Sequence, residues 1–122
     1  MSAILKSSKI HSVFDEISCH EAWYGDIAGL SAEKLLRGRK TPYLFILRQG
    51  EKSSVLNEQN YYVTFIHSDL SVKHQPLVVT ADFEAYYFEN GNNFGPCYDT
   101  SIDDVLHLVM HCEKGQCQPL IK

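Results

Sequence analysis

The sequence lacks the features that would place the chain in several large functional classes. No apolar run approaches the roughly 20 residues that a membrane-spanning helix needs, and residues 1–9 lack the apolar stretch of a secretory signal. The formal net charge is −4 at pH 7, so no general positive field attracts nucleic acid or anionic lipid. We therefore expect a cytoplasmic monomer that binds neither nucleic acid nor membranes, and that holds any anion through a local positive site.

The motifs of catalysis are also missing. Glycine-rich loops of the kind that cradle nucleotide phosphates do not occur. Cysteine and histidine are neighbours at Cys19 and His20 and again at His111 and Cys112, but neighbouring side chains on a helix or strand point apart. No glycine motif for an oxyanion accompanies either pair. These absences predict a protein that is not an enzyme and needs no cofactor.

Cysteine is scarce. The four cysteines are too sparse for a disulfide scaffold in a chain of 122 residues, and free thiols in a reducing cytosol are the simpler interpretation. A small zinc-binding domain stays open as an alternative, because histidines and cysteines gather near the C-terminus. The paired Cys-x-x-Cys spacing of structural zinc sites is absent, however. The residues concerned are His107, His111, Cys97, Cys112 and Cys117.

The residues that are present have the composition of a folded domain, with 44% hydrophobic and 21% charged residues. Two helices are predicted in the first third of the chain. Apolar residues at 10, 13, 14 and 17 form one face of a short helix. A second helix follows, in which Ser31 is the expected N-cap, Leu30 and Leu35 form a hydrophobic staple and Gly38 ends the run.

Four strands and a last helix complete the pattern. The strands are expected at residues 43–48, 61–67, 72–80 and 86–88. Pro76 removes a hydrogen-bond donor, so the third strand should be at an edge, bulged or broken at that residue. Residues 90–96 are rich in glycine and asparagine and predict a turn.

The last helix is the most clearly marked element. Thr100 or Ser101 is its expected N-cap, and Asp103 and Asp104 favour the positive end of its dipole. Gly115 is expected to end it. The predicted buried stripe consists of Ile102, Val105, Leu106, Val109 and Met110.

The order of these elements predicts an α+β fold with a central antiparallel sheet flanked by two helices and a short extra N-terminal helix. Residues 1–20 are expected to form an extension, helical and packed on the domain. Residues 21–122 would form the domain itself. No internal repeat or linker divides the chain.

One charged residue stands out in this pattern. Arg48 ends a strand whose preceding five residues are all apolar or aromatic, so its stem should be drawn into the interior. A buried guanidinium is costly without an anion to pair with. An ordinary ion pair with a carboxylate of the chain, or a side chain that extends to water, would also satisfy it.

The surroundings of Arg48 resemble those of the Src homology 2 family. In that family a Trp-Tyr pair precedes the first helix, and a Phe-Leu-Val-Arg-like strand carries the arginine that binds phosphate. This chain has Trp-Tyr at 23–24, the helix at 31–36 and Phe-Ile-Leu-Arg at 45–48. Tyr-Tyr-Val-Thr-Phe at 61–65 looks like the next strand of the family, and Val-Lys-His at 72–74 matches the strand after it. The last helix and residues 115–120 are similar to the family's ending, so the resemblance covers residues 23–120 in order.

The resemblance implies a phosphotyrosine site built around Arg48. The planar guanidinium would bind two phosphate oxygens at once, which a lysine cannot do. His74 would lie beside the phosphotyrosine ring, and Tyr62 and Thr64 would face the same pocket. The loop after the arginine would offer an ammonium, hydroxyls and backbone N–H groups to the dianion. The residues of this loop are Lys52, Ser53 and Ser54.

The chain departs from the family at several positions. An arginine that many members have in the first helix is replaced at or near Gly29, a common serine by Gly50, and a common lysine by Pro76. Polar Gln75 and Gln116 occupy the region that reads the residues flanking phosphotyrosine, which predicts low flanking-sequence selectivity. A long loop at residues 90–97, with Phe94 at its centre, could instead form a new pocket over the peptide.

The expected partners are therefore tyrosine-phosphorylated proteins or peptides. Stand-alone versions of the domain are known in bacterial effectors as well as in animal adaptors, and an effector would work in the host cytosol. A structural or interaction domain that has lost phosphate binding remains the other alternative, because the three auxiliary contacts are missing.

Overall fold

The computed structural model describes residues 13–82, 84–89, 92–98 and 102–121. Three α-helices lie in this part of the chain: α1 at Val13–Ser18, α2 at Gly29–Leu36 and α3 at Ile102–Met110. The first three strands are β1 at Leu44–Gln49, β2 at Glu58–Ile66 and β3 at Val72–Thr80. The others are β4 at Glu84–Glu89, β5 at Asn92–Tyr98 and the two-residue β6 at Gln118–Pro119, which follows a short 3-10 helix at Lys114–Gln116.

The six described strands form one sheet in the order β5-β4-β3-β2-β1-β6. All neighbouring pairs are antiparallel except β1 and β6, which are parallel. The prediction of an α+β fold is thus confirmed, whereas the sheet is mixed and not purely antiparallel. The parallel pairing at one edge was not predicted, because a strand of two residues leaves no periodic pattern in a sequence.

The sheet separates two hydrophobic clusters, and the alternation of side chains along β1 assigns its residues to opposite faces. Phe45 and Leu47 pack in the larger cluster with α1, α3 and the alternate residues of β2 and β3. Ile46 packs in the smaller cluster with Ala32 and Leu36 of α2. One helix therefore covers each face of the sheet, with α1 added on the α3 side.

The short N-terminal helix is observed at α1. Val13 and Ile17 are buried in the larger cluster, whereas Ile10 of the predicted stripe lies outside the described residues. Glu16 accepts a 3.4 Å hydrogen bond from the backbone N–H of Ile102, the first residue of α3. The division of the chain into an extension at 1–20 and a domain at 21–122 stays a prediction.

The third strand has the predicted bounds, and Pro76 lies where the sheet tolerates it. Pro76 is opposite Tyr62 in an unbroken register between β2 and β3. The described pairing of β3 with β4 begins at the next residue, Leu77. Pro76 is therefore paired with β2 on one side only, one residue before the described pairing with β4 begins. The missing N–H of Pro76 breaks no described contact between β3 and β4.

Three predictions about the elements before the last helix are wrong. Residues 92–98 form strand β5, paired with β4, where a turn was predicted. The second helix begins at Gly29, so Ser31 is inside it rather than at its N-cap. The predicted staple is absent as well, since Leu30 and Leu35 are both exposed. The expected caps of α3, Thr100 and Ser101, lie outside the described residues.

The last helix ends at Met110 and not at Gly115. His111 takes a left-handed backbone conformation with φ of 58°. The N–H of His111 donates to the carbonyl of Leu108 and that of Cys112 to the carbonyl of His107, the pair of bonds of a Schellman motif. Glycine usually occupies the left-handed position, so the histidine gave no signal of a helix end. The predicted buried stripe is confirmed in full.

Within the described residues, no helix is both long and apolar enough to cross a membrane.

The backbone of Gly50 lies against the start of β2. A Cβ atom at this position would come within 2.8 Å of the carbonyl carbon and oxygen of Asn60 and 3.0 Å of the backbone nitrogen of Tyr61. Gly50 also donates its N–H to the carbonyl of Asn60 at 2.9 Å. The close approach of the two backbones therefore requires a residue without a side chain.

We expect Leu106→Ala to destabilise the fold by about 2–5 kcal/mol, because Leu106 is fully buried and the truncation leaves a cavity. Leu108→Ala removes the same atoms from the same helix, where 38% of the residue is exposed. That variant should lose only about 0.5 kcal/mol or less. Urea unfolding of both variants measures the difference, and equal losses would contradict the assigned face of α3.

We expect Gly50→Ala to destabilise the protein by about 1–3 kcal/mol, since the added methyl group meets backbone atoms that cannot move independently. Gly115→Ala is the matched control, because a Cβ at that position meets no atom within 4 Å. The control should be neutral within about 0.5 kcal/mol. Thermal melts of the two variants test this, and a Gly50→Ala protein as stable as the wild type would show that β2 is not so close.

Candidate anion-binding site

Arg48 lies inside the protein on the face of the sheet that α2 covers. It is the fifth residue of β1, two residues beyond Ile46, so alternation directs both side chains to the α2 face. Only 8% of Arg48 is exposed. The guanidinium therefore does not reach bulk water in the way that a surface arginine does.

Neutral side chains of the next two strands hold the guanidinium. Nε of Arg48 donates to Oγ1 of Thr64 at 3.0 Å, and Nη2 lies 3.2 Å from Nδ1 of His74. Thr64 and His74 are paired across β2 and β3, and their side chains are 2.9 Å apart. Three neighbouring strands thus each contribute one residue to a single cluster.

An aromatic ring covers the guanidinium from the side. Tyr62 is the cross-strand partner of Arg48, and Cζ of the arginine lies 4.3 Å from the centre of the tyrosine ring. A cation over a ring face is attracted by about 0.5–2 kcal/mol, depending on how well water is excluded. This contact fixes the plane of the guanidinium without using any of its N–H donors.

The hydrogen bonds indicate which ring nitrogen of His74 carries the proton. An arginine has only donors, so Nη2 must donate and Nδ1 of His74 must accept. The ring proton is then on Nε2, which lies 2.9 Å from Oε1 of Glu33 and donates to it. This bond is the main reason why the pKa of Glu33 is lower than usual, and the nearby guanidinium of Arg37 adds to the effect.

The charge of Arg48 has no described counter-ion. Among the residues of the described ranges, none of the ion pairs includes Arg48, and no hydrogen bond engages its Nη1. Burial lowers the pKa of Arg48, while Tyr62 and Glu51 act in the opposite direction. An arginine nevertheless stays protonated. The site therefore holds a positive charge with unused donors.

Helix α2 begins beside this charge. A Cβ on Gly29, its first residue, would lie 3.3 Å from Nη2 of Arg48 and 3.8 Å from Cε1 of His74. Ala28, in the N-cap position, gives the helix no side-chain cap. The positive end of the helix dipole and a buried cation are thus close together, an arrangement that an anion between them would relieve.

The structure brings four of the predicted site residues together and leaves the loop residues apart. The cluster consists of Arg48, Tyr62, Thr64 and His74. In the loop, the hydroxyl of Ser53 donates to Glu58 at 3.2 Å and accepts from the N–H of Val55, so it is used within the loop itself.

The loop borders a separate cavity. This cavity has a volume of about 500 Å³, and its lining includes three carboxylates, those of Asp26, Glu51 and Glu58. Lys52 and Ser53 also line it, whereas Ser54 is exposed. Carboxylates repel a dianion, so the described conformation of the loop is not arranged for phosphate. A role of Lys52, Ser53 and Ser54 in phosphate binding stays a prediction.

The predicted selectivity residues are scattered. Gln75 follows His74 and therefore lies on the opposite face of the sheet, paired with Val63. Gln116 lies in the 3-10 helix, where its side chain accepts the N–H of Glu113 at 2.8 Å. Phe94 lies in β5 and is paired with Tyr87 of β4, so the predicted loop around Phe94 is a strand. Selectivity at these residues stays a prediction.

Sequence reasoning missed Glu33. A glutamate followed by a lysine in a helix has the pattern of a solvated surface position, and nothing in the spacing marks Glu33 as a site residue. Its contact with His74 joins residues 41 positions apart. By contrast, Gly29 was noted as the place of a missing arginine, and the structure puts that position directly over Arg48.

Of the histidines and cysteines considered for zinc, His107, His111 and Cys112 lie close together at the end of α3. Across the described residues, however, no three side chains of histidine, cysteine, aspartate or glutamate come together in a way that could hold a metal ion. The sulfur atoms of Cys112 and Cys117 are 3.5 Å apart. Burial raises the pKa of both thiols, that of Cys117 to about 12.

The sequence matches no protein-family model and no curated protein.

Proposed function

We propose that this chain is a phosphotyrosine-binding domain of the Src homology 2 type, in which Arg48 binds the phosphate. The observation that carries the proposal is the buried guanidinium without a described counter-ion. An unpaired charge in the interior costs several kcal/mol unless a partner compensates it. A ligand that brings its own negative charge would supply this compensation.

The geometry of the donors favours a phosphate. Neutral acceptors hold Nε and one hydrogen of Nη2, which leaves Nη1 and the second hydrogen of Nη2. These remaining donors form one end of the planar fork, the arrangement that binds two oxygens of a tetrahedral anion. The start of α2 lies next to the same end of the side chain and adds partial positive charge.

The depth of the site favours phosphotyrosine over the shorter phosphorylated residues. Only 8% of Arg48 is exposed, so a ligand must reach into the protein surface to meet the guanidinium. A phosphate on a phenyl ring projects further from a peptide backbone than a phosphate on serine or threonine. His74 and Tyr62 border the guanidinium and would contact that ring.

The fold is compatible with this proposal. A central sheet with one helix on each face has the layout that the family resemblance implies, and the arginine lies on the strand expected of it. The coarse fold alone is shared by many unrelated functions, so the site carries the proposal.

The first test replaces the arginine. Each hydrogen bond to a charged group contributes about 1.5–3 kcal/mol, so Arg48→Ala should weaken binding of a phosphotyrosine peptide at least about a hundredfold. Arg48→Lys keeps the charge but loses the fork and should bind with intermediate affinity. Calorimetric titration of a phosphorylated peptide and its unphosphorylated twin measures these affinities.

Arg39→Ala is the control, because Arg39 is an exposed arginine after α2 whose loss removes the same charge. It should change affinity by less than about threefold. Circular dichroism would show that each variant is folded. Equal affinity of folded wild-type and Arg48→Ala proteins for the phosphopeptide would refute the proposal, and a wild-type protein that ignores phosphorylation would favour a domain without phosphate binding.

We also propose low selectivity for the residues that flank phosphotyrosine. The cavity next to Tyr62 is small, about 230 Å³, and its lining mixes Pro76 and Val78 with polar Glu51 and Asn60. Each buried methylene contributes only about 0.8 kcal/mol, so a shallow mixed surface discriminates weakly between side chains. A degenerate phosphopeptide library should therefore show broad binding. A strong preference for one residue at any flanking position would contradict this.

A further inference from the structure

Among the described residues, Glu33 of α2 contacts the anion site through His74 alone. The carboxylate accepts the Nε2 proton of the ring at 2.9 Å, and the opposite side of the ring presents Nδ1 to Thr64 and Arg48 at 2.9 and 3.2 Å. The guanidinium is thus linked to a helix on its own face of the sheet through one imidazole. Arg37 donates to the other oxygen of the same carboxylate at 3.1 Å.

We propose that Glu33 is a positioning residue of this site, which fixes the ring of His74 so that its Nδ1 lone pair faces Arg48; the inference rests on the proposed phosphate-binding function. A half-turn of the ring about its bond to Cβ would put a C–H group where Nδ1 is. Arg48 would then lose an acceptor for Nη2 and gain a repulsive contact. The hydrogen bond to Glu33 holds the ring against this rotation.

The orientation of the guanidinium depends on that acceptor. Thr64 holds Nε, and Tyr62 fixes the plane of the group, but His74 alone among the described residues engages the Nη2 end. With His74 in place, one Nη2 hydrogen is used and the other end of the fork is fixed for the ligand. Glu33 thus contributes to phosphate binding although it would not touch the phosphate.

Positioning and simple electrostatics predict opposite effects for the loss of Glu33. A carboxylate near an anion site repels the ligand, so electrostatics alone predicts that its removal strengthens binding. Positioning predicts that the removal weakens binding. Glu51 is the comparison carboxylate, since it acts on the charge of Arg48 but has no described contact with His74.

The experiment compares three variants in titrations with free O-phosphotyrosine. Glu33→Ala should bind about fivefold more weakly, as expected for the loss of one supporting hydrogen bond. Glu33→Gln keeps an oxygen that accepts from Nε2 and should bind within about twofold of the wild type or more tightly. Glu51→Ala should bind more tightly, by up to about fivefold. Arg37→Ala removes the ion pair of α2 but keeps the carboxylate, and should change affinity less than about twofold.

A second measurement on the free protein separates positioning from a loss of stability. Nitrogen NMR of the His74 ring should show a proton on Nε2 alone in the wild type and in Glu33→Gln. In Glu33→Ala the ring is no longer held, so the two tautomers, with the proton on Nε2 or on Nδ1, should exchange with each other. A destabilised but correctly arranged site would not change this signature.

The inference is overturned if Glu33→Ala binds O-phosphotyrosine as tightly as the wild type, or more tightly, as Glu51→Ala is expected to do. It is also overturned if the His74 ring carries its proton on Nδ1 in the wild type. A wild-type protein that does not bind O-phosphotyrosine refutes the proposed function instead. In that case the ring measurement, which needs no ligand, still decides whether Glu33 fixes His74.

Discussion

The organisation of this domain depends on how a buried guanidinium is held by groups that carry no negative charge. Thr64, His74 and Tyr62 orient Arg48 through an oxygen, a ring nitrogen and a ring face, and among the described residues no carboxylate is paired with it. A carboxylate in direct contact would give a more stable protein at rest but would compete with any anionic ligand. Here the carboxylate of Glu33 is one residue further away in the hydrogen-bond network and contacts His74.

The register of the sheet makes this arrangement possible. Arg48 is opposite Tyr62, and Thr64 is opposite His74, so three strands place four side chains on one face. Arg48, Thr64 and His74 are joined by hydrogen bonds, and the ring of Tyr62 lies against the guanidinium. A shift of one residue would turn the arginine into the larger hydrophobic cluster. The same register buries Ile46 and Ile66 under α2, so the packing that stabilises the domain also fixes the site.

Much of this could be predicted from the sequence, and the failures have physical reasons. The bounds of β3 and the buried stripe of α3 follow from periodicity, and alternation along β1 and β2 places Arg48 and Thr64 on one face. Helix ends were missed where unusual residues perform the usual task, as His111 does in a left-handed conformation. Strand β5 was missed because its asparagines, glycine and proline have turn propensity, which pairing with β4 overrides. The contact between Glu33 and His74 depends on how α2 packs on the sheet, which no local pattern encodes.

Gly29 leaves little free space between the start of α2 and the guanidinium of Arg48. The Cβ of a cationic residue at position 29 would lie 3.3 Å from Nη2 of Arg48. The guanidinium would then have to shift by a few tenths of an ångström. Ala28 is exposed and extended at the start of the helix, so a longer side chain there would lie at the protein surface. A second positive charge on α2 would therefore disturb the guanidinium of Arg48 less at position 28 than at position 29.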